Sequence, residues 1–92
     1  MQITDVRIRK IFEDEGCLRA IASITLDDAF AVHDLKIIEG NGRLFVAMPS
    51  RRDGAGAYRD IAHPVGSGFR KELETAVLDA FNIEMLLCSL NN

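Results

Sequence analysis

Apolar residues recur at every second position early in the chain and at every third or fourth position near its end. That change of period constrains the fold more than any other feature. Val6, Ile8 and Phe12 alternate with Asp5, Arg7 and Arg9. Leu18, Ala20, Ala22, Ile24 and Leu26 then alternate with Arg19, Ser23 and Thr25, leaving Ile21 as the single apolar residue of the second face. Successive side chains of a strand point to opposite faces, so both stretches predict strands with one dry and one wet face. The acidic turn at residues 13–16 is short enough to make them a hairpin. Phe69, Leu73, Ala76, Val77, Ala80 and Phe81, in contrast, fall on one helical stripe. They predict a single helix from about Gly68 to at least Phe81, with Ser67 as its N-cap.

Between these ends, residues 30–39 predict a third strand whose phase slips. Phe30 and Val32 share one parity and Leu35 and Ile37 the other, with His33 and Asp34 at the switch, which is the signature of a bulge or bend. Asp27-Asp28 and Gly40-Asn41-Gly42 are turn signals. The segment 42–64 follows. An apolar run at 44–48 is stopped by Pro49, the basic pair Arg51 and Arg52 comes next, and the flexible link 53–56 leads into a return strand at 58–61. This reads as a long hairpin with an exposed cationic tip. The expected fold is α+β: an antiparallel β-sheet of about five strands with one C-terminal α-helix packed on one face. Residues 1–92 form a single domain, with the sheet over 1–65 and the helix and an apolar tail over 66–92. The tail, residues 83–90, is too apolar to be loose. Either the helix continues and buries it, or it contacts another subunit.

Composition narrows the function. Hydrophobic residues make up 48% and charged residues 27% of the chain, which argues for a packed globule over disorder. No apolar run approaches the ~18 residues of a membrane span, and the first residues lack the apolar block of a signal peptide. A cytoplasmic protein with no membrane partner is expected. Cys17 and Cys88 match no metal or redox motif and are expected to be free thiols. The net charge is −3, but residues 43–71 hold six bases (Arg43, Arg51, Arg52, Arg59, Arg70, Lys71) and two acids (Asp53, Asp60), a balance of +4 that leaves −7 elsewhere. A cationic middle on an acidic protein suits a phosphate-facing surface.

Catalysis finds little support. His33 and Asp34 are strand neighbours that point to opposite faces, no Ser or Cys sits in a nucleophile motif, and no glycine-rich phosphate loop is present. His33 and His63 lack metal-ligand spacing with the surrounding acids. The expectation is a protein without catalysis, cofactor, metal or small-molecule substrate. Arg70 and Lys71 are more informative. They fall in the first turn of the helix, where the macrodipole disfavours cations, and Glu72 and Glu74 only partly offset them. Together with free helix amides and Arg51 and Arg52, they would make a phosphate cradle.

The chain resembles the SpoVG family, small bacterial proteins also called stage V sporulation protein G. The segments ITDVRIRK, RAIASITLDDAF, VHDLKIIEG, LFVAMPSRR and YRDIAHP carry the resemblance, which covers residues 1 to about 82. It implies a small sheet with a C-terminal helix, a homodimer built partly through strand pairing, and a cytoplasmic regulator of septation, sporulation or gene expression. It also implies binding of DNA and RNA without catalysis. The family's binding residues map onto Arg70 and Lys71, with Arg51 and Arg52 as additions. The loop at 53–56 departs from the family pattern and is expected to be more mobile. The alternative from a different class is a protein–protein adaptor of the division or sporulation machinery that binds no nucleic acid.

Overall fold

The computed structural model describes residues 1–13 and 16–90. Four antiparallel strands, β1 (Ile3–Ile11), β2 (Leu18–Leu26), β3 (Phe30–Gly40) and β4 (Arg43–Ala47), form one sheet in the order β1-β2-β3-β4. A separate ribbon pairs β5 (Ser50–Arg52) with β6 (Tyr58–Asp60), and one helix, α1 (Ser67–Leu90), follows. The α+β class expected from the change of period is present. Among the described residues there are six strands in two sheets, where about five in one sheet were expected.

Two turns set the meander. Asp27 and Asp28 lie in the left-handed region with φ of 51° and 53°, and so do Asn41 and Gly42 with φ of 54° and 76°. Paired left-handed residues match the twist of the flanking strands, and Asp, Asn and Gly tolerate that conformation best. Gly40 therefore pairs directly with Arg43, and Leu26 with Phe30. The N-terminal end is tied over the first turn: Gln2 N donates to Asp27 Oδ1 at 2.7 Å, and Asp28 N donates to Thr4 Oγ1 at 2.9 Å.

The core lies between α1 and one face of the sheet. Ala20, Ala22 and Ile24 of β2, Leu35 and Ile37 of β3 and Val46 of β4 meet Leu73, Val77 and Phe81 of α1. Leu35, Ile37 and Val77 are the largest fully buried side chains, each contributing about 1.5–3 kcal/mol from removal of its surface from water.

Bulges settle what alternation alone did not. β1 slips register between Ile8 and Lys10, so Ile11 pairs with Ala20 and packs against the core. Phe12, expected to share a face with Val6 and Ile8, is displaced from that role. The Lys10 ammonium lies 5.0 Å from its ring centroid instead. The phase change anticipated in the third strand is also found. The β2–β3 register shifts between Ala22 and Ile24, opposite His33 and Asp34, and Asp34 has φ of 65°. The acidic turn expected at 13–16 falls partly outside the described residues.

The long hairpin expected across 42–64 does not form. β4 pairs with β3 from Lys36↔Ala47 to Gly40↔Arg43, closed by the two-residue Asn41-Gly42 turn. Closing that short loop costs less chain entropy than reaching residue 58, so β3 wins the partner. Pro49 cannot extend the ladder. Beyond it β5 and β6 make their own ribbon, whose base is closed by Ile61 N donating to Pro49 O at 2.7 Å.

The helix begins one residue earlier than Ser67 capping would require. Arg70 N donates to Gly66 O at 3.1 Å, which makes Gly66 the cap and Ser67 the first helical residue. At its other end α1 continues through the apolar tail to Leu90. Of that stretch Met85 packs against the core, while Leu86 and Leu90 are 65% and 81% exposed and Ile83 and Leu87 are exposed as well. Among the described residues no helix is long and apolar enough to cross a membrane.

Candidate nucleic-acid interface

The ribbon holds the first basic pair. Arg51 and Arg52 lie in a strand, where a mobile loop was expected: Arg51 stands directly opposite Arg59, and Arg52 opposite Tyr58. Because faces alternate, Arg51 and Arg59 share one side of the ribbon and Arg52 and Tyr58 the other. All four are exposed. Like charges directly opposite on one face oppose pairing, so the ribbon needs another source of order.

Asp53 supplies that order. Its Oδ1 accepts from Ala55 N at 2.9 Å and Ala57 N at 3.0 Å, and its Oδ2 accepts from Arg59 Nε at 2.8 Å. Asp53 N in turn donates to Ala57 O at 2.8 Å. Gly56, with φ of 88°, takes the left-handed position that lets the chain reverse. The Arg59 guanidinium, and after it the Ala57 amide, hold the Asp53 carboxyl below its ordinary value. The tip expected to be a flexible link is thus a turn built on one carboxylate. Asp53 also offsets Arg59, leaving Arg51 and Arg52 without an ion pair among the described residues.

The second basic pair lies at the start of α1. The amides of Ser67, Gly68 and Phe69 precede the first intrahelical bond, and no acid occupies the first turn. Arg70 closes that turn, its Nη1 3.9 Å from Glu74 Oε1. Lys71 is exposed and enters no ion pair among the described residues. The approach is held by His63, whose Nδ1 lies 3.0 Å from Pro64 O. Among the described residues no hydrogen bond or ion pair joins the ribbon to α1. The four predicted residues therefore form two cationic projections on separate elements, linked by residues 61–66.

Two further features were not assigned from the sequence. A groove of about 470 Å³ lies where the helix start meets the end of the sheet, lined by Phe30, Val32, Met48, Val65 and Phe69 with His63 at its edge. A third set of cations, Lys10, Lys36 and Arg43, lies on the sheet face opposite α1. Parity along the chain does not reveal it, since Lys10 has the parity of Val6 and Ile8 and only the bulge in β1 brings it to this face. Among the described residues no three His, Cys, Asp or Glu side chains cluster as a metal site, and Cys17 and Cys88 are exposed free thiols.

A four-stranded meander with one long helix on one face and an arginine ribbon beside it defines a small α+β module with cationic projections. The SpoVG family profile matches residues 1–83. The chain is 58% identical over 81 residues to the "Putative septation protein SpoVG" of Desulforudis audaxviator (strain MP104C), an alignment covering 88% of this chain and 91% of that one. The protein of the same name from Staphylococcus carnosus (strain TM300) is 56% identical over 82 residues, covering 89% and 76%. That from Agathobacter rectalis is 53% identical over 85 residues, covering 92% and 97%. The chain belongs to the SpoVG family. The family match ends at residue 83, so the last exposed apolar turns of α1 lie beyond it.

Proposed function

We propose that this protein is a DNA- and RNA-binding regulator acting in septation, sporulation or the associated gene expression, without catalysis, and that it works as a homodimer. One observation carries the nucleic-acid reading. Arg51, Arg52 and Lys71 are exposed and enter no ion pair among the described residues, within a segment balanced at +4 on a chain of net charge −3. Cations concentrated against the sign of the whole molecule suit a polyanion. The unpaired amides at the start of α1 suit a phosphate. The name carried by the relatives supports the septation role.

Dimerisation is supported by the edges of the sheet. β1 carries two register shifts, which twist an edge away from pairing, whereas β4 runs through five consecutive regular pairs with β3. The free side of β4 is thus the edge suited to a second copy.

The adaptor reading has its own support in the exposed Ile83, Leu86, Leu87 and Leu90 and in the apolar groove. Salt dependence separates the two. Titration of labelled duplex and single strand across ionic strengths should give affinity falling linearly on logarithmic axes, by about 0.9 units per duplex phosphate contact. Absence of binding at low salt would put the adaptor reading first.

A further inference from the structure

α1 packs on one face of the four-stranded sheet, so among the described residues the other face has no helix above it. Its residues follow from the register, since directly paired residues share a face. Lys10, Ile21, Lys36 and Ala47 make one row across the strands, with Ile38 and Phe45 in the next. Arg43 lies two residues from Phe45 on the same side. Phe45 is 45% exposed. The Cε1 edge of its ring approaches Gly40, where an added Cβ would lie 3.3 Å from it.

We infer that this face is a platform for a single strand of nucleic acid, with a base stacked on Phe45 and phosphates held by Lys36, Arg43 and Lys10. The inference rests on the nucleic-acid reading above and adds to it a second site with a different preference. An exposed aromatic ring on a strand stacks with a base that has left the duplex stack. Lys36 stands diagonally across the ladder from Phe45, and Arg43 beside it along β4, so cations flank the ring on two sides. Neither enters an ion pair among the described residues. Of the acids on the sheet, Asp5 Oδ2 accepts from Arg7 Nε at 2.9 Å and Glu39 Oε1 from Arg19 Nη1 at 3.1 Å, whereas Asp34, two residues before Lys36, enters no ion pair among the described residues. The same charges argue against a second copy as the occupant. In a two-fold contact the patch meets itself, which would set Lys10, Lys36 and Arg43 against their own copies.

The test compares two variants with the parent and with Arg70→Ala/Lys71→Ala, using labelled oligothymidylate, oligouridylate and a duplex. Phe45→Leu keeps an apolar cover over Gly40 and removes the stacking plane. It should weaken single-strand binding about tenfold and leave duplex binding unchanged. Lys10→Gln/Lys36→Gln should flatten the single-strand salt slope by about 1.4 units for two lost phosphate contacts. Melting curves and sedimentation of each variant accompany the titrations. If both sheet variants bind single strands like the parent while the helix variant loses affinity, the platform is wrong and the nucleic-acid reading stands. A sheet variant that changes the oligomeric state makes the face a self-contact and overturns the platform. If the parent itself binds no oligonucleotide at low salt, the underlying reading fails.

Discussion

The hydroxyl of Ser23 lies 2.9 Å from Nδ1 of His33, joining β2 to β3 where β3 carries its extra residue. Ser23 is only 8% exposed although it lies on the open face of the sheet. Its hydroxyl therefore depends on the imidazole for a partner. The bulge that re-aims β3 is what brings His33 to it. The bond ties the two halves of β3, with their different phases, to one β2.

Ser23→Ala and His33→Ala should each cost about 1 kcal/mol, the net worth of one hydrogen bond. That is a drop of about 4–8 °C in melting temperature for a domain of this size. The double variant should lose less than the sum, because both changes remove the same bond. Strict additivity in urea melts would show that the contact carries no coupling.

Asp53 gives the ribbon a pH dependence. Its carboxyl is held below its ordinary value in the folded state, first by Arg59 and then by the Ala57 amide. A lowered folded value means the stabilisation is present above the unfolded carboxylate range, about pH 4, and is lost as pH falls through the folded value. Amide exchange at Ala55 and Ala57 should therefore accelerate below that range in the native protein. In Asp53→Ala exchange should already be fast at neutral pH and lose its acid step, since the acceptor of both amides and the partner of Arg59 are gone. An unchanged profile in the variant would remove Asp53 as the organiser of the tip.

The two basic pairs should contribute comparably to duplex binding. A mobile loop would lose entropy on ordering, but the ribbon is already ordered by its ladder and by Asp53. Arg51→Ala/Arg52→Ala and Arg70→Ala/Lys71→Ala should each flatten the salt slope by about one to two units. Stability in both should stay within about 0.5 kcal/mol of the parent, since these are surface positions and the Arg70–Glu74 pair is exposed. Loss confined to one pair would reduce the interface to that element.

Sedimentation at micromolar concentration should show one species of twice the chain mass, with β4 edges paired. A proline at Phe45 or Ala47 is too disruptive to test this edge, since both lie in β4 itself. Amide exchange protection along β4 that rises with protein concentration is the cleaner measurement. A monomer with freely exchanging β4 amides would reject the paired edge.

The tail separates packing from exposure. Met85→Ala should cost about 1–2 kcal/mol, less than a fully buried methionine, because its side chain is half-buried against the core. Leu86→Ser/Leu90→Ser should leave the melting temperature nearly unchanged, because water already reaches those side chains. A large loss in the second variant would mean that another copy covers the stripe.

Much of this architecture was legible in the order of residues alone. The alternation along β2 and the 3.6-residue stripe of α1 report which side of each element is dry, because a chain cannot hide that pattern from its own period. Asn41-Gly42 announced its turn, and the parity switch at His33 and Asp34 announced its bulge, since both are local events. Arg51, Arg52, Arg70 and Lys71 stood out as cations by position and proved exposed or half-buried at the surface. Only the tertiary structure decided that β4 takes β3 as its partner and leaves β5 and β6 to a separate ribbon. It alone decided that the bulge in β1 gives Ile11 the place expected for Phe12, that Gly66 caps the helix, and that Asp53 gathers the ribbon tip. The exposed helical stripe beyond Phe81 and the cationic face around Phe45 also emerged only there. The physical reason is common to all of them. Periodicity is written in neighbours along the chain, whereas the choice of partner, the register of a ladder and the coverage of a face depend on residues that meet only after folding.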